Sequence, residues 1–174
     1  MTTPQELFEH ELQDIYYAER VISQMLPRLA QEASNSQLSR AFDQHLKETR
    51  SQIENLEQVF SEIGKPAQGE QCPGIDGIKR EHDVFMQEES PASDIRDMFL
   101  TGAASRTEHY EIAAYTGLVA KARALGETQA AKLLNENLKQ EKDALKKVET
   151  ISKRILKEAS GTSGNGGRAR AARS

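Results

Sequence analysis

Cysteine is all but missing from this chain, with Cys72 the only one among 174 residues. A lone thiol excludes a disulfide framework and a thiolate zinc site, and it favours a reducing, cytoplasmic setting. No apolar run approaches the roughly 20 residues of a membrane-crossing helix, and the first residues reach Pro4, Gln5 and Glu6 without the apolar stretch of a secretory signal. An excess of positive charge is missing as well, 23 Lys and Arg standing against 27 Asp and Glu for a formal net charge of −4. The three arginines at the end of the chain (Arg168, Arg170 and Arg173) are unbalanced by acid, so the remainder is more acidic still. Such a body does not attract nucleic acid, and the arginine tail offers at most weak, salt-sensitive contact. Tryptophan is absent and aromatic residues make up 5 % of the chain.

What remains is rich in Ala, Leu, Glu, Lys and Gln, the composition of an all-α protein. Its length suits one domain able to bury a core without disulfides. Thr3-Pro4-Gln5-Glu6 reads as a helix start, and Phe8, Leu12, Ile15, Ile22, Leu26 and Leu29 follow at helical spacing to about Ala33. Glu19 falls on that stripe. A turn at Ser34-Asn35-Ser36 leads to a second helix over about 37–63, with Leu38, Phe42, Leu46, Ile53, Leu56, Phe60 and Ile63 as its stripe and His45 and Glu48 beside it. Gly64-Lys65-Pro66 stops it. Residues 64–91 are irregular, with one short amphipathic piece around 75–86. A third long helix runs from Ser90-Pro91-Ala92-Ser93-Asp94 to about Ala124, and a fourth from about Gln129 to Glu158, carrying Glu141 on its apolar face. Domain limits of 1–160, followed by a disordered Gly/Ala/Arg tail over 161–174, are expected.

A shift of 92 residues superposes the two halves: Glu19 falls on Glu111, Leu26 on Leu118, Gln37 on Gln129, Leu46 on Leu138 and Lys47 on Lys139. Each half therefore reads as an antiparallel helical hairpin. Glu19, Glu48, Glu111 and Glu141 all lie about 13–15 residues from the turn of their hairpin, or roughly 20–23 Å along it. His45 and Glu108 sit one turn from Glu48 and Glu111 on the same faces. The connection over 64–91 is long enough to run the length of a bundle, so the second and third long helices can be parallel. Two hairpins joined by one long crossover, here with a short fifth helix, make the ferritin-like four-helix bundle.

Several carboxylates at one interior level cannot all stay as bare anions, because desolvation and mutual repulsion oppose it. Two divalent cations relieve both. An oxygen-rich set with one imidazole suits iron first and manganese second. A glutamate at helical spacing is most often a solvated surface acid, but the common depth and interior phase single out Glu19, His45, Glu48, Glu108, Glu111 and Glu141 as the metal-ligand set. No literal Glu-x-x-His is present on the second or fourth helix. The chain offers the reversed His45-x-x-Glu48, then Asn137, Gln140 and Glu141, so an asymmetric site is expected. His109 points about 100° from Glu108 and reads as a packing or supporting residue. His10 and His82 read as solvated, and Cys72 as a free thiol in a flexible segment. Tyr16, Tyr17, Tyr110 and Tyr115 read mainly as packing residues.

Tyr17-Ala18-Glu19, His45-Leu46-Lys47-Glu48-Thr49, the run Glu108 to Tyr115 and Leu138-Lys139-Gln140-Glu141-Lys142 together resemble the bacterial YciE/YciF family, over about residues 4–157. The resemblance implies a ferritin-like domain, often dimeric, with a dinuclear metal centre and an association with stress responses. Family members often carry more acid on the fourth helix, where this chain has Gln140 and Leu145. The expected function is a non-haem dinuclear metal protein, di-iron in the first place, that oxidises Fe²⁺ or removes peroxide, with O₂ or peroxide as substrate. The competing expectations are a non-catalytic homodimer or partner-binding protein with an empty or structural site, and a manganese enzyme resembling catalase.

Overall fold

Thr3 opens α1 (Pro4–Glu32) with a capping box: its Oγ1 accepts from Glu6 N at 3.1 Å, and Glu6 Oε2 accepts from Thr3 N at 3.0 Å. The helix continues through Pro27. Asn35 caps α2 (Ser36–Glu62) by accepting from Gln37 N at 2.9 Å and Leu38 N at 3.1 Å. Beyond it, Gly64 takes φ +68°, a left-handed conformation that costs glycine nothing. The crossover contains α3 (Pro73–Glu88) and leads to α4 (Ser93–Ala124) and α5 (Thr128–Gly166). The computed structural model describes residues 1–166, with side chains through Ser160. α5 thus outlasts Glu158, where periodicity ends it, and the expected disordered tail lies, from residue 167 on, outside the described residues.

Contacts fix the directions of the four long helices. Ser39 Oγ donates to Ala30 O at 2.8 Å beside the first turn, whereas Tyr16 meets Phe60 edge-on, 5.6 Å between centroids, far from it. α1 and α2 are therefore antiparallel. Thr101–Ser152 and Tyr115–Asn137 contacts make α4 and α5 antiparallel in the same way. Across the hairpins, Lys147 reaches Glu48 and Arg154 reaches Gln37, so α2 and α5 are antiparallel. Lys121–Glu11 and Asp97–Ser34 contacts do the same for α1 and α4. Going round, the square reads α1, α2, α5, α4. The parallel pair α2 and α4 lie on a diagonal, which is the arrangement expected for one long crossover.

α3 lies along the groove of α1 and α4, and the crossover is anchored rather than loose. Cys72 is buried with its thiol 2.8 Å from Tyr110 Oη. A Cβ on Gly74 would stand 2.9 Å from the Tyr110 ring, so only glycine admits this approach. Here the reading of Cys72 as part of a flexible segment is corrected. The reading of His82 as solvated is corrected too. Its ring is buried: Nε2 donates to Glu32 Oε2 at 2.8 Å, and Nδ1 accepts from Arg28 Nη2 at 2.6 Å. Both residues lie on the side of the crossover that faces the bundle, a side invisible until α3 has been placed.

Candidate metal centre

α4 is not amphipathic in the ordinary sense, because three of its acids, Asp97, Glu108 and Glu111, are buried and small residues face out. Ala113, Thr116 and Ala120 are exposed. On α2 the buried stripe is Leu38, Phe42, His45, Thr49, Gln52 and Leu56, at spacings of three and four. His45 thus lies on the centre line of that stripe rather than beside it. Glu19 from α1 and Glu141 from α5 complete a ring of interior polar groups.

Ligand-type atoms of His45, Glu108, Glu111 and Glu141 all lie within 4.8 Å of one another. His45 Nε2 faces Glu108 Oε1 at 3.4 Å across the α2–α4 diagonal. Glu19 stands across from this group and takes the Tyr115 hydroxyl as donor to its Oε1. Glu48 is not drawn into the group of four. It lies on the solvent side of His45, whose Nδ1 is 3.7 Å away, and accepts from Lys147 Nζ at 3.0 Å and Gln44 at 3.1 Å. His109 is exposed, its Nδ1 donating to Ser105 O at 2.8 Å, so it neither packs nor supports the cluster.

The electrostatics follow from burial. Desolvation first, then the charge of Glu141 and its neighbours, pushes the Glu19 and Glu111 carboxyls well above the usual carboxylate range. Glu108 moves the same way through desolvation, then hydrogen bonding and repulsion from Glu141. Tyr115 is raised by burial and by Glu19. Glu48 behaves oppositely: the His45 ring, with Gln44 and Lys147, holds it at about 2 against the penalty of its partial burial.

Hydrogen bonds do not satisfy this interior. Glu111 Oε1 and Oε2, Glu19 Oε2, Glu108 Oε2, Glu141 Oε2, both His45 nitrogens, Thr49 Oγ1 and Gln52 Oε1 have no hydrogen-bond partner. Apart from Arg96 Nε and Gln140 Oε1, every such buried side-chain atom among the described residues belongs to this one cluster. Buried polar groups are ordinarily paired, and a converging set of orphaned oxygens with one imidazole fits a hard divalent cation.

Sequence reasoning missed the supporting network. Gln52 donates to Glu141 Oε1. Asn137 Nδ2 lies 3.2 Å from Gln52 O and 3.1 Å from Tyr115 Oη, and its Oδ1 accepts from Asn55 at 2.7 Å. A signal was available in the spacing His45, Thr49, Gln52, which continues the phase of Leu38 and Phe42.

The profile of the domain-of-unknown-function family DUF892 matches residues 3–160. Protein YciF of Escherichia coli (strain K12) is 41 % identical over 143 residues, which are 82 % of this chain and 86 % of that protein. The crystal structure of the E. coli stress protein YciF superposes with a TM-score of 0.86 at 36 % identity, covering 90 % of this chain and 99 % of that one. YcfI from Rhodopseudomonas palustris matches with a TM-score of 0.83 at 40 % identity, covering 86 % of this chain and 94 % of that one. The chain belongs to the DUF892 family, the family of YciF.

Proposed function

We propose that this protein is a ferritin-like dinuclear metal protein of stress response, holding two divalent ions, iron before manganese. The observation that carries the reading is the buried ring of unpartnered carboxyl oxygens around His45. His45, Glu108, Glu111 and Glu141 would hold one ion. Glu19, raised by the charge of Glu141 and itself raising Glu111, would take part in holding the second. When bound, the ions supply redox chemistry toward O₂ or peroxide. The chain's own residues orient the acids through Gln52 and Tyr115 and exclude bulk water. Tyr115, its hydroxyl on Glu19, can keep a proton beside that carboxylate.

The competing reading, an empty or structural site in a partner-binding protein, is the less favoured one. It requires acids satisfied by hydrogen bonds and an apolar face open on α3. Glu111 has neither oxygen satisfied, and on α3 Ile75 is buried and Phe85 stacks on Phe99, leaving Val84 as the exposed apolar side chain of that helix. A homodimer, a cytoplasmic location and a single ferritin-like unit over residues 1–160 with an appended 161–174 tail belong to the same proposal. No helix among the described residues is long and apolar enough to cross a membrane. The test is elemental analysis of protein purified without chelator from cells grown with iron and manganese. About two ions per chain are expected, and a chain free of metal under those conditions would refute the reading.

The path inward is itself testable. A cavity of about 20 Å³ at the α2–α5 seam touches Ala41, Phe42, Glu48 and Lys147 and reaches His45 and Glu108. The Lys147 ammonium places positive charge at this mouth and occupies Glu48. K147M is expected to speed cobalt(II) uptake by about threefold to tenfold in stopped-flow absorbance. An unchanged rate would move the route elsewhere.

A further inference from the structure

A second cavity, of about 30 Å³, reaches the cluster from the opposite quarter, beneath α3. Ile22 and Leu26 of α1, Phe42 of α2, Ile78 of α3 and Ala104 of α4 form its walls, and His45 and Glu108 stand at its inner end. Thr107 contributes little polarity, because its hydroxyl is engaged with Ala103 O at 3.1 Å. The space exceeds the roughly 10–15 Å³ that one water needs, yet a water there would find partners at one end only. Hydrogen peroxide is worse placed, since it brings two O–H groups whose hydration must be replaced, and the acceptors stand only at the inner end, on His45 and Glu108. A small apolar diatomic loses nothing on transfer into such a space.

We propose that this cavity is a dioxygen site, which admits O₂ from the α3 side and presents it to the face of the cluster formed by His45 and Glu108. The delivery role rests on the metal-centre reading above; the binding itself does not. It assigns the two approaches different cargo, with cations taking the charged α2–α5 seam and the gas taking the apolar side. It also makes O₂ rather than peroxide the oxidant this fold favours.

The binding is tested on metal-free protein carrying labelled methyl groups, under elevated oxygen pressure. Paramagnetic relaxation of the Ile22, Leu26 and Ile78 methyls is expected to exceed that of Leu56 and Val59, buried elsewhere, by severalfold. Filling the space with A104L or, from the half-buried α3 side, with I78F should abolish the excess. Oxidation of the iron-loaded variants by O₂ should then slow severalfold while their oxidation by peroxide is unchanged. Equal relaxation at all buried methyls overturns the site, whatever the metal content. Equal slowing with both oxidants, or slowing with neither, overturns the delivery role. A normal relaxation excess in a protein that takes up no iron would refute the metal reading and leave the gas site standing.

Discussion

Replacing Glu111 with leucine is expected to stabilise the metal-free protein and to abolish its response to metal. Glu111 is fully buried, and both its oxygens lack partners. An unsatisfied buried polar group costs about 1–3 kcal/mol. Exchanging it for an apolar side chain of similar volume is often stabilising. A gain of about 2 kcal/mol in metal-free protein, or on the order of 5 °C in Tm, follows. Native protein at a metal concentration a hundredfold above its Kd should gain about 2.7 kcal/mol, since only the folded state gathers the ligands. The variant should gain little, because Glu111 is one of the four residues whose ligand-type atoms converge. Thermal melts of both proteins with and without Fe²⁺ or Mn²⁺, under anaerobic conditions, read both effects. A Glu111→Leu variant that melts lower without metal, or still rises with it, would remove the residue from the centre of the site.

The second large effect is on pH. Unfolded, Glu19, Glu108 and Glu111 ionise at their ordinary value of 4.5; folded, burial keeps them protonated well above it. Above pH 4.5 the unfolded chain therefore binds fewer protons than the native one, and metal-free stability falls as pH rises toward the raised values. Glu48 has the opposite sign: its contribution is complete above 4.5 and is lost as pH falls toward about 2. Metal-free protein should thus be most stable near pH 4.5 to 5 so far as these groups are concerned, with Tm declining from about pH 5 to pH 8. Metal reverses the slope, because it takes the place of the protons. Up to about three protons per chain should leave on loading near neutral pH. Calorimetric titration in buffers of different ionisation enthalpy counts them. A flat metal-free profile, or loading without proton release, would show that these acids are already ionised.

Much of this was legible in the chain. Thr3, Asn35, Gly64 and Gly126 mark helix ends by chemistry within one turn of themselves, so α1, α2 and α4 begin and end within a few residues of where composition and periodicity put them. Glu19 and Glu141 could be seen as interior because they interrupt apolar stripes, and both are buried. Gln52 was less visible, since Leu46 and Ile53 suggested a stripe rotated away from its true centre. His82 and Cys72 were harder still. Neither has a local signature of burial, because the cover comes from α1 and α4, far away in sequence.

The sequence by itself determined five helices, their order, and three acids turned inward at one depth, Glu19, Glu111 and Glu141, because helical periodicity and capping are local properties. Only the tertiary structure decided which of those groups meet. His45 faces Glu108 because α2 and α4 are the parallel diagonal of the square. Glu48, one turn from His45, turns instead to Lys147 on α5. The angle at which each helix presents its stripe is set by the packing of all its neighbours, and a few tens of degrees separate a group inside the ring from an ion pair at its mouth.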